Sequence, residues 1–236
     1  MKKINYILSS LLLFLTVLYP VGKVVASGLG YTFSLLSVSA FAAVIALLSV
    51  FIIILNIVFK MTIENKVLGA LFSILTPLSL VNAAFYIGAC PHIEVVVSAV
   101  ISVGCCCYLT IRHGKPIGLK VTALGLSALM LIPIICLSFF APLAHNLNKE
   151  TVVDSIPCPD GQYCAKLIDH DQGAMGGSTL VEIVEIYEKE LDLVIFKIQK
   201  KPRRVYTGKW GEYKTMEIYW KDADCLVING VEYPIK

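Results

Sequence analysis

The sequence predicts a membrane α-helical bundle of about five transmembrane helices followed by a small all-β extracytoplasmic domain, and three observations carry that expectation. Of 236 residues, 57% are hydrophobic and only 16% are charged, whereas soluble domains run at roughly 45–50% apolar and about 25% charged; the mean hydropathy is +0.76. Charge is divided unevenly along the chain. Residues 1–142 hold eight Lys/Arg against Glu64 and Glu94, a net +6, while residues 143–236 hold twelve against fifteen acids, a net −3. The period also changes near Pro142, where long apolar runs give way to short Val, Ile, Tyr and Phe-rich runs punctuated by turn residues. These shifts set a transmembrane domain over 1–142 and a β-rich domain over 143–236.

A helix needs about 20 mainly apolar residues to cross a hydrocarbon core of about 30 Å. Five segments reach or approach that length: 6–20 (extendable towards Ala26), 31–59, 67–89, 95–111 and 121–141. The second is long enough to tilt or to begin outside the bilayer. The fourth is short and bounded by Glu94 and Arg112, so it needs Arg112 to snorkel to the headgroups. Lys and Arg in short loops stay cytoplasmic. With the N-terminus inside, Lys2, Lys3, Lys60, Lys66, Arg112, Lys115 and Lys120 fall on the inner side and only Lys23 on the outer. That asymmetry predicts a multi-pass protein of the cell membrane with a cytoplasmic N-terminus and residues 143–236 outside. The first segment, with Lys2 and Lys3 before it and Val24-Val25-Ala26-Ser27 after it, also fits a cleavable signal peptide; cleavage would change the number of helices but not the side of the C-terminal domain.

Ionisable side chains at membrane depth usually mark a pathway, and none falls in the middle of a span. Asn56 and Asn82, with scattered Ser and Thr, are the polar content, and Pro77 and Pro133 are expected to kink their helices. Cys90, His92 and Glu94 are metal-ligand types but match no closed-site spacing, so the expectation is an interfacial turn around Pro91. Cys105, Cys106 and Cys107 read as small packing residues, with acylation as the other reading. Gly114 to Gly118 lacks the strand, helix and Gly-Lys-Ser/Thr ending of a phosphate loop.

In the C-terminal part, Pro159-Asp160-Gly161 is a turn signal leading into a strand over 162–168. Residues 173–177 form a glycine-rich connection, and 179–187 with 193–199 read as a hairpin around Glu188-Lys189-Glu190. Strands over 215–220 and 225–228 follow, and Asn229-Gly230 is the two-residue hairpin turn into 231–235. Six or seven strands and no helix are expected there.

The order Pro159-Asp160-Gly161-Gln162-Tyr163, then Gly173-Ala174-Met175-Gly176-Gly177-Ser178 before an apolar strand, then Trp220 and Ile228-Asn229-Gly230, resembles a family of bacterial membrane-anchored proteins of unknown function, common in Gram-positive organisms. The resemblance covers residues 155–235 and implies hydrophobic helices joined to a short β-rich domain outside. It implies no activity. The chain departs from the pattern in Cys158, where the family often has serine, and in Cys164.

Cys158 and Cys164 flank the turn, and outside the cytoplasm a disulfide between them could persist. They lack the Cys-x-x-Cys spacing of a redox pair. Asp169-His170-Asp171 reads as a solvated turn, since neighbours in a strand point to opposite faces. The run Lys197, Lys200, Lys201, Arg203 and Arg204 reads as a charged edge strand or as a surface for anionic headgroups or wall polymers. Nucleic acid is not expected as a partner of a net acidic domain outside the cell. No catalytic set, metal site or cofactor motif emerges. The expectation is a non-enzymatic envelope protein, partnered by the bilayer and by another envelope protein or wall component, whose outer domain binds or senses a ligand; the alternative is a small transporter or transporter subunit.

Overall fold

The computed structural model describes residues 2–59, 66–147, 149–173, 176–186 and 191–235. Lys60, Ala174, Met175 and the expected turn Glu188-Lys189-Glu190 lie outside the described residues. The chain divides into two compact units, one of residues 1–25, 34–142 and 194–196, the other of residues 26–33, 143–193 and 197–236. Residues 26–33 thus belong with the C-terminal unit.

The first unit is helical: α1 (Lys2–Gly28), α2 (Val38–Val58), α3 (Lys66–Ser73), α4 (Leu75–Ala89), α5 (Ile93–His113) and α6 (Ile117–Leu147). Four of these helices are long and apolar enough to cross a membrane, and the bent pair α3–α4 makes a fifth candidate. The bend of 44° falls at Ile74. Its cause lies three residues on, because the Pro77 ring has no N–H to give and crowds the Ser73 carbonyl. The pair runs the length of α5. At one end the Lys115 N–H donates to the Gly69 carbonyl (3.0 Å), and at the other only residues 90–92 separate α4 from α5. A chain of hydroxyls staples the two: Thr76 donates to Thr110 (2.8 Å), which donates to the Phe72 carbonyl (2.7 Å). Ser39, in the first turn of α2, donates to Glu94 in the first turn of α5 (3.0 Å), so these helices begin level.

The second span begins later than its hydropathy suggests. Tyr31–Leu35 is strand β1, and α2 starts only at Val38, capped by Ser37, whose side chain accepts from the Ala40 N–H. Tyr-Thr-Phe-Ser-Leu alternates apolar with polar, and Phe33 and Leu35 are buried, which is strand periodicity. The last helix, in turn, runs through Pro133 and Pro142 to Leu147 rather than stopping at 141.

The second unit is built from antiparallel sheets, with β2 (Lys149–Pro157), β3 (Tyr163–Asp171), β4 (Gly177–Glu185), β5 (Leu191–Asp192), β6 (Phe196–Lys200), β7 (Arg203–Lys209), β8 (Ile218–Trp220), β9 (Cys225–Ile228) and β10 (Val231–Pro234), and a 3-10 turn at Glu212–Lys214. Sheet orders are β2-β3-β4-β7, β8-β9-β10 and β1-β6-β5. Alternation puts Ala165, Leu167, Val181 and Ile183 on one face of the four-stranded sheet, where they pack with Leu226, Ile228 and Ile235. The expected hairpin of 179–187 with 193–199 does not form. β4 pairs instead with β3 and β7, and Arg204 fixes the second register by donating through Nε (3.1 Å) and Nη2 (2.9 Å) to one oxygen of Glu182.

Candidate functional site

The pairing of β4 with β7 ends at Ile183↔Arg203. Beyond it the strands diverge, because Pro202 has no N–H to continue a ladder. Val184, Glu185 and Ile186 continue on one side, and Gln199, Lys200 and Lys201 turn away on the other. The space between them is a cleft of about 480 Å³, lined wholly by residues of the C-terminal unit. Its far wall is fixed by the loop after α1: Thr32 donates its hydroxyl to the Gln199 carbonyl (3.2 Å), and the Lys201 N–H donates to the Gly30 carbonyl (2.9 Å). Tyr163, Ile183 and Ile235 supply apolar surface. Arg203 ties Ile235 down by donating from Nη1 to its carbonyl (2.7 Å).

The electrostatics of the cleft oppose those of the domain. Lys166, Lys200, Lys201 and Arg203 line it against one carboxylate, Glu185, which pairs with Lys200 at 2.7 Å. Among the described residues, Lys166, Lys201 and Arg203 have no carboxylate within ion-pair distance. A concave patch of one sign focuses its field and raises the local concentration of counter-charge. The chemistry on offer is anion recognition.

Most residues singled out from the sequence turn out to shape the chain. Asp160 accepts from the Gln162 N–H (2.9 Å), and the Gly161 N–H closes the turn onto the Cys158 carbonyl (2.9 Å). The Gly176 N–H donates to Gly173 (3.0 Å) in the connection between β3 and β4. Gly177 lies under the indole of Trp210; a Cβ there would come within 2.5 Å of Trp210 Cδ1 and of the His170 carbonyl. Trp220 packs on the core and donates from Nε1 to the Ile156 carbonyl (3.0 Å). Asn229 and Gly230 take φ of +50° and +78°, the geometry of a type I′ hairpin turn. Of the motif residues, Tyr163 alone lines the cleft.

The structure does not bring Cys158 and Cys164 together; both thiols are free. Cys164 is paired opposite Pro157, so alternation turns Cys158 to the other face of the hairpin. There it is buried, its thiol donating to the Ala223 carbonyl (3.4 Å), and burial pushes its pKa up. Glu94 is engaged with Ser39, His170 Nδ1 lies 3.3 Å from the Ser178 hydroxyl, and Asp171 accepts from the Gly173 N–H (2.8 Å). Among the described residues no three His, Cys, Asp or Glu side chains converge as metal ligands. In the helical unit, Asn56 donates to the Ile52 carbonyl (2.8 Å) and Asn82 to the Tyr86 hydroxyl (2.8 Å), each within its own helix, while the Oδ1 atoms of both are buried with no hydrogen-bond partner among the described residues.

Lys200, Lys201 and Arg203 were visible as a basic run. Lys166, Glu185 and Thr32 were not, since only strand register and the loop after α1 bring them to that run. No known protein family, curated protein or solved structure matches this chain.

Proposed function

We propose that this multi-span membrane protein is a non-enzymatic binding or sensing protein of the cell envelope, with its β unit on the extracytoplasmic side and the cleft at the end of β4 as the binding surface. The cleft carries this reading: four cations against one carboxylate, with an apolar wall, in a region whose net charge is −3. The side rests on the distribution of Lys and Arg among the loops. The Pro-Asp-Gly turn and the Ile-Asn-Gly hairpin are what support kinship with the bacterial membrane-anchored family.

Amine acylation of the full chain in neutral-lipid nanodiscs tests the binding role, with mass spectrometry reading each lysine. Adding soluble polyphosphate, or replacing part of the lipid by phosphatidylglycerol, is expected to slow labelling of Lys166 and Lys201. Lys214 and Lys221, away from the cleft, are expected to label unchanged. Equal labelling under every condition would remove the cleft as a binding surface.

A further inference from the structure

We infer that the cleft at the end of β4 takes the phosphate-bearing headgroup of an anionic membrane lipid, at the membrane face on which the β unit lies. This rests on the binding role proposed above and names its ligand.

The first argument is chain connectivity. The first candidate span ends at Gly28, and Thr32, which lines the cleft, follows four residues later. An extended chain covers at most about 3.5 Å per residue, so the Thr32 Cα lies within about 14 Å of the Gly28 Cα. Gly30, closer still along the chain, is bonded to the Lys201 N–H at 2.9 Å. The second span begins at Val38, so the loop that walls the cleft is tethered to membrane-crossing helices at both ends. The headgroup layer itself is roughly 5–8 Å deep on each side of the hydrocarbon core. That short connection puts the headgroup layer within reach of the cleft.

The second argument is the mixed chemistry of the wall. Lys166, Lys201 and Arg203 offer N–H donors suited to phosphate oxygens. Beside them stand Tyr163, Ile183 and Ile186, and Ile186 is 47% exposed. A fully polar, soluble polyanion leaves that apolar surface unused, whereas the glycerol and first acyl carbons of a lipid would cover it. The volume, about 480 Å³, is in the range of small-ligand sites, which run from about 300 to 1,000 Å³.

The full chain in neutral detergent, titrated with dihexanoyl phosphatidylglycerol and read by acylation of Lys166 and Lys201, tests the inference. Half-protection is expected at a concentration about fivefold higher in Lys201→Gln (read at Lys166) and in Lys166→Gln (read at Lys201), the usual worth of one cation near an anionic surface. Glu185→Gln removes the one carboxylate among the described residues that line the cleft and is expected to lower the half-protection concentration by a similar factor, a gain that misfolding does not imitate. Dihexanoyl phosphatidylcholine is expected to give no protection, and soluble glycerophosphate much less than the lipid. Protection by soluble polyphosphate but not by phosphatidylglycerol would assign the cleft to a polymer and overturn the lipid, leaving the binding role intact. Equal protection by glycerophosphate and by the lipid would make it a free-phosphate site. Protection by no anion at all would overturn the lipid and the binding role together.

Discussion

Trp220→Phe tests how the two sheets of the β unit are joined. Its indole Nε1 donates to the Ile156 carbonyl at 3.0 Å, and so links β8 of the small sheet to β2 of the large one. Phenylalanine keeps an aromatic ring against the core but cannot donate. A neutral hydrogen bond is worth about 1 kcal/mol, and the indole-to-phenyl loss of some 40 Å² of apolar area adds about 1 kcal/mol at 25 cal/mol/Å². The total of about 2 kcal/mol corresponds to a roughly 30-fold increase in the open population of the region. Amide hydrogen exchange of the full chain in nanodiscs, read on peptides from β2 and β8–β9, measures it. Trp210→Phe serves as the control, because Trp210 is 56% exposed and such surface changes stay within about 0.5 kcal/mol. Exchange in β2 that rises less than threefold in Trp220→Phe, or as much in Trp210→Phe, would refute the reasoning.

Gly177→Ala places a methyl group where Trp210 and the His170 carbonyl already lie; we expect a loss of about 1–3 kcal/mol and a red-shifted Trp210 emission, measured in a Trp220→Phe background. Thr110→Val removes both hydroxyl links to α3 and α4, worth together about 1 kcal/mol by the usual interhelical value, measurable as a lower denaturation midpoint in mixed detergent. The Tyr206 hydroxyl donates to Glu212 (2.8 Å), which, with desolvation behind it, holds the phenol above its ordinary pKa. The folded form keeps that proton longer than the unfolded chain, so its stabilisation is complete below about pH 10 and is lost as pH rises through the folded-state value. Circular dichroism between pH 9 and 12 is expected to show an alkaline loss of β structure that is weaker in Tyr206→Phe.

Features governed by local chemistry could be read in advance. The apolar helices, the Asn229-Gly230 hairpin and the Pro159-Asp160-Gly161 turn all depend on a few adjacent residues. What escaped depends on partners far along the chain. Tyr31–Leu35 is apolar enough to continue into α2, and only its alternation separates it. Lys149–Pro157 is almost wholly exposed and carries little hydrophobic pattern, so its pairing with β3 had no local signal. The pairing of β4 with β7 rather than β6 brings Glu182 to Arg204, 22 residues apart, and packs Val205 and Tyr206 of β7 on the core with Val181 and Ile183. The cleft is harder still to foresee. Its lining comes from the loop after α1, from β3 and β4, from the corner between β6 and β7, and from Ile235, and no spacing rule links those stretches.

The side of the membrane on which the β unit lies decides whether its cleft can meet extracytoplasmic ligands at all. Cys225 is the suitable reporter, because Cys158 is buried while Cys225 is partly exposed; desolvation and the neighbouring Glu232 raise its thiol pKa, so labelling is best done at mildly alkaline pH. A variant retaining only Cys225, treated with a membrane-impermeant maleimide in sealed cells, is expected to label as fully as after permeabilisation. Labelling only after permeabilisation would place the β unit in the cytoplasm and contradict the account.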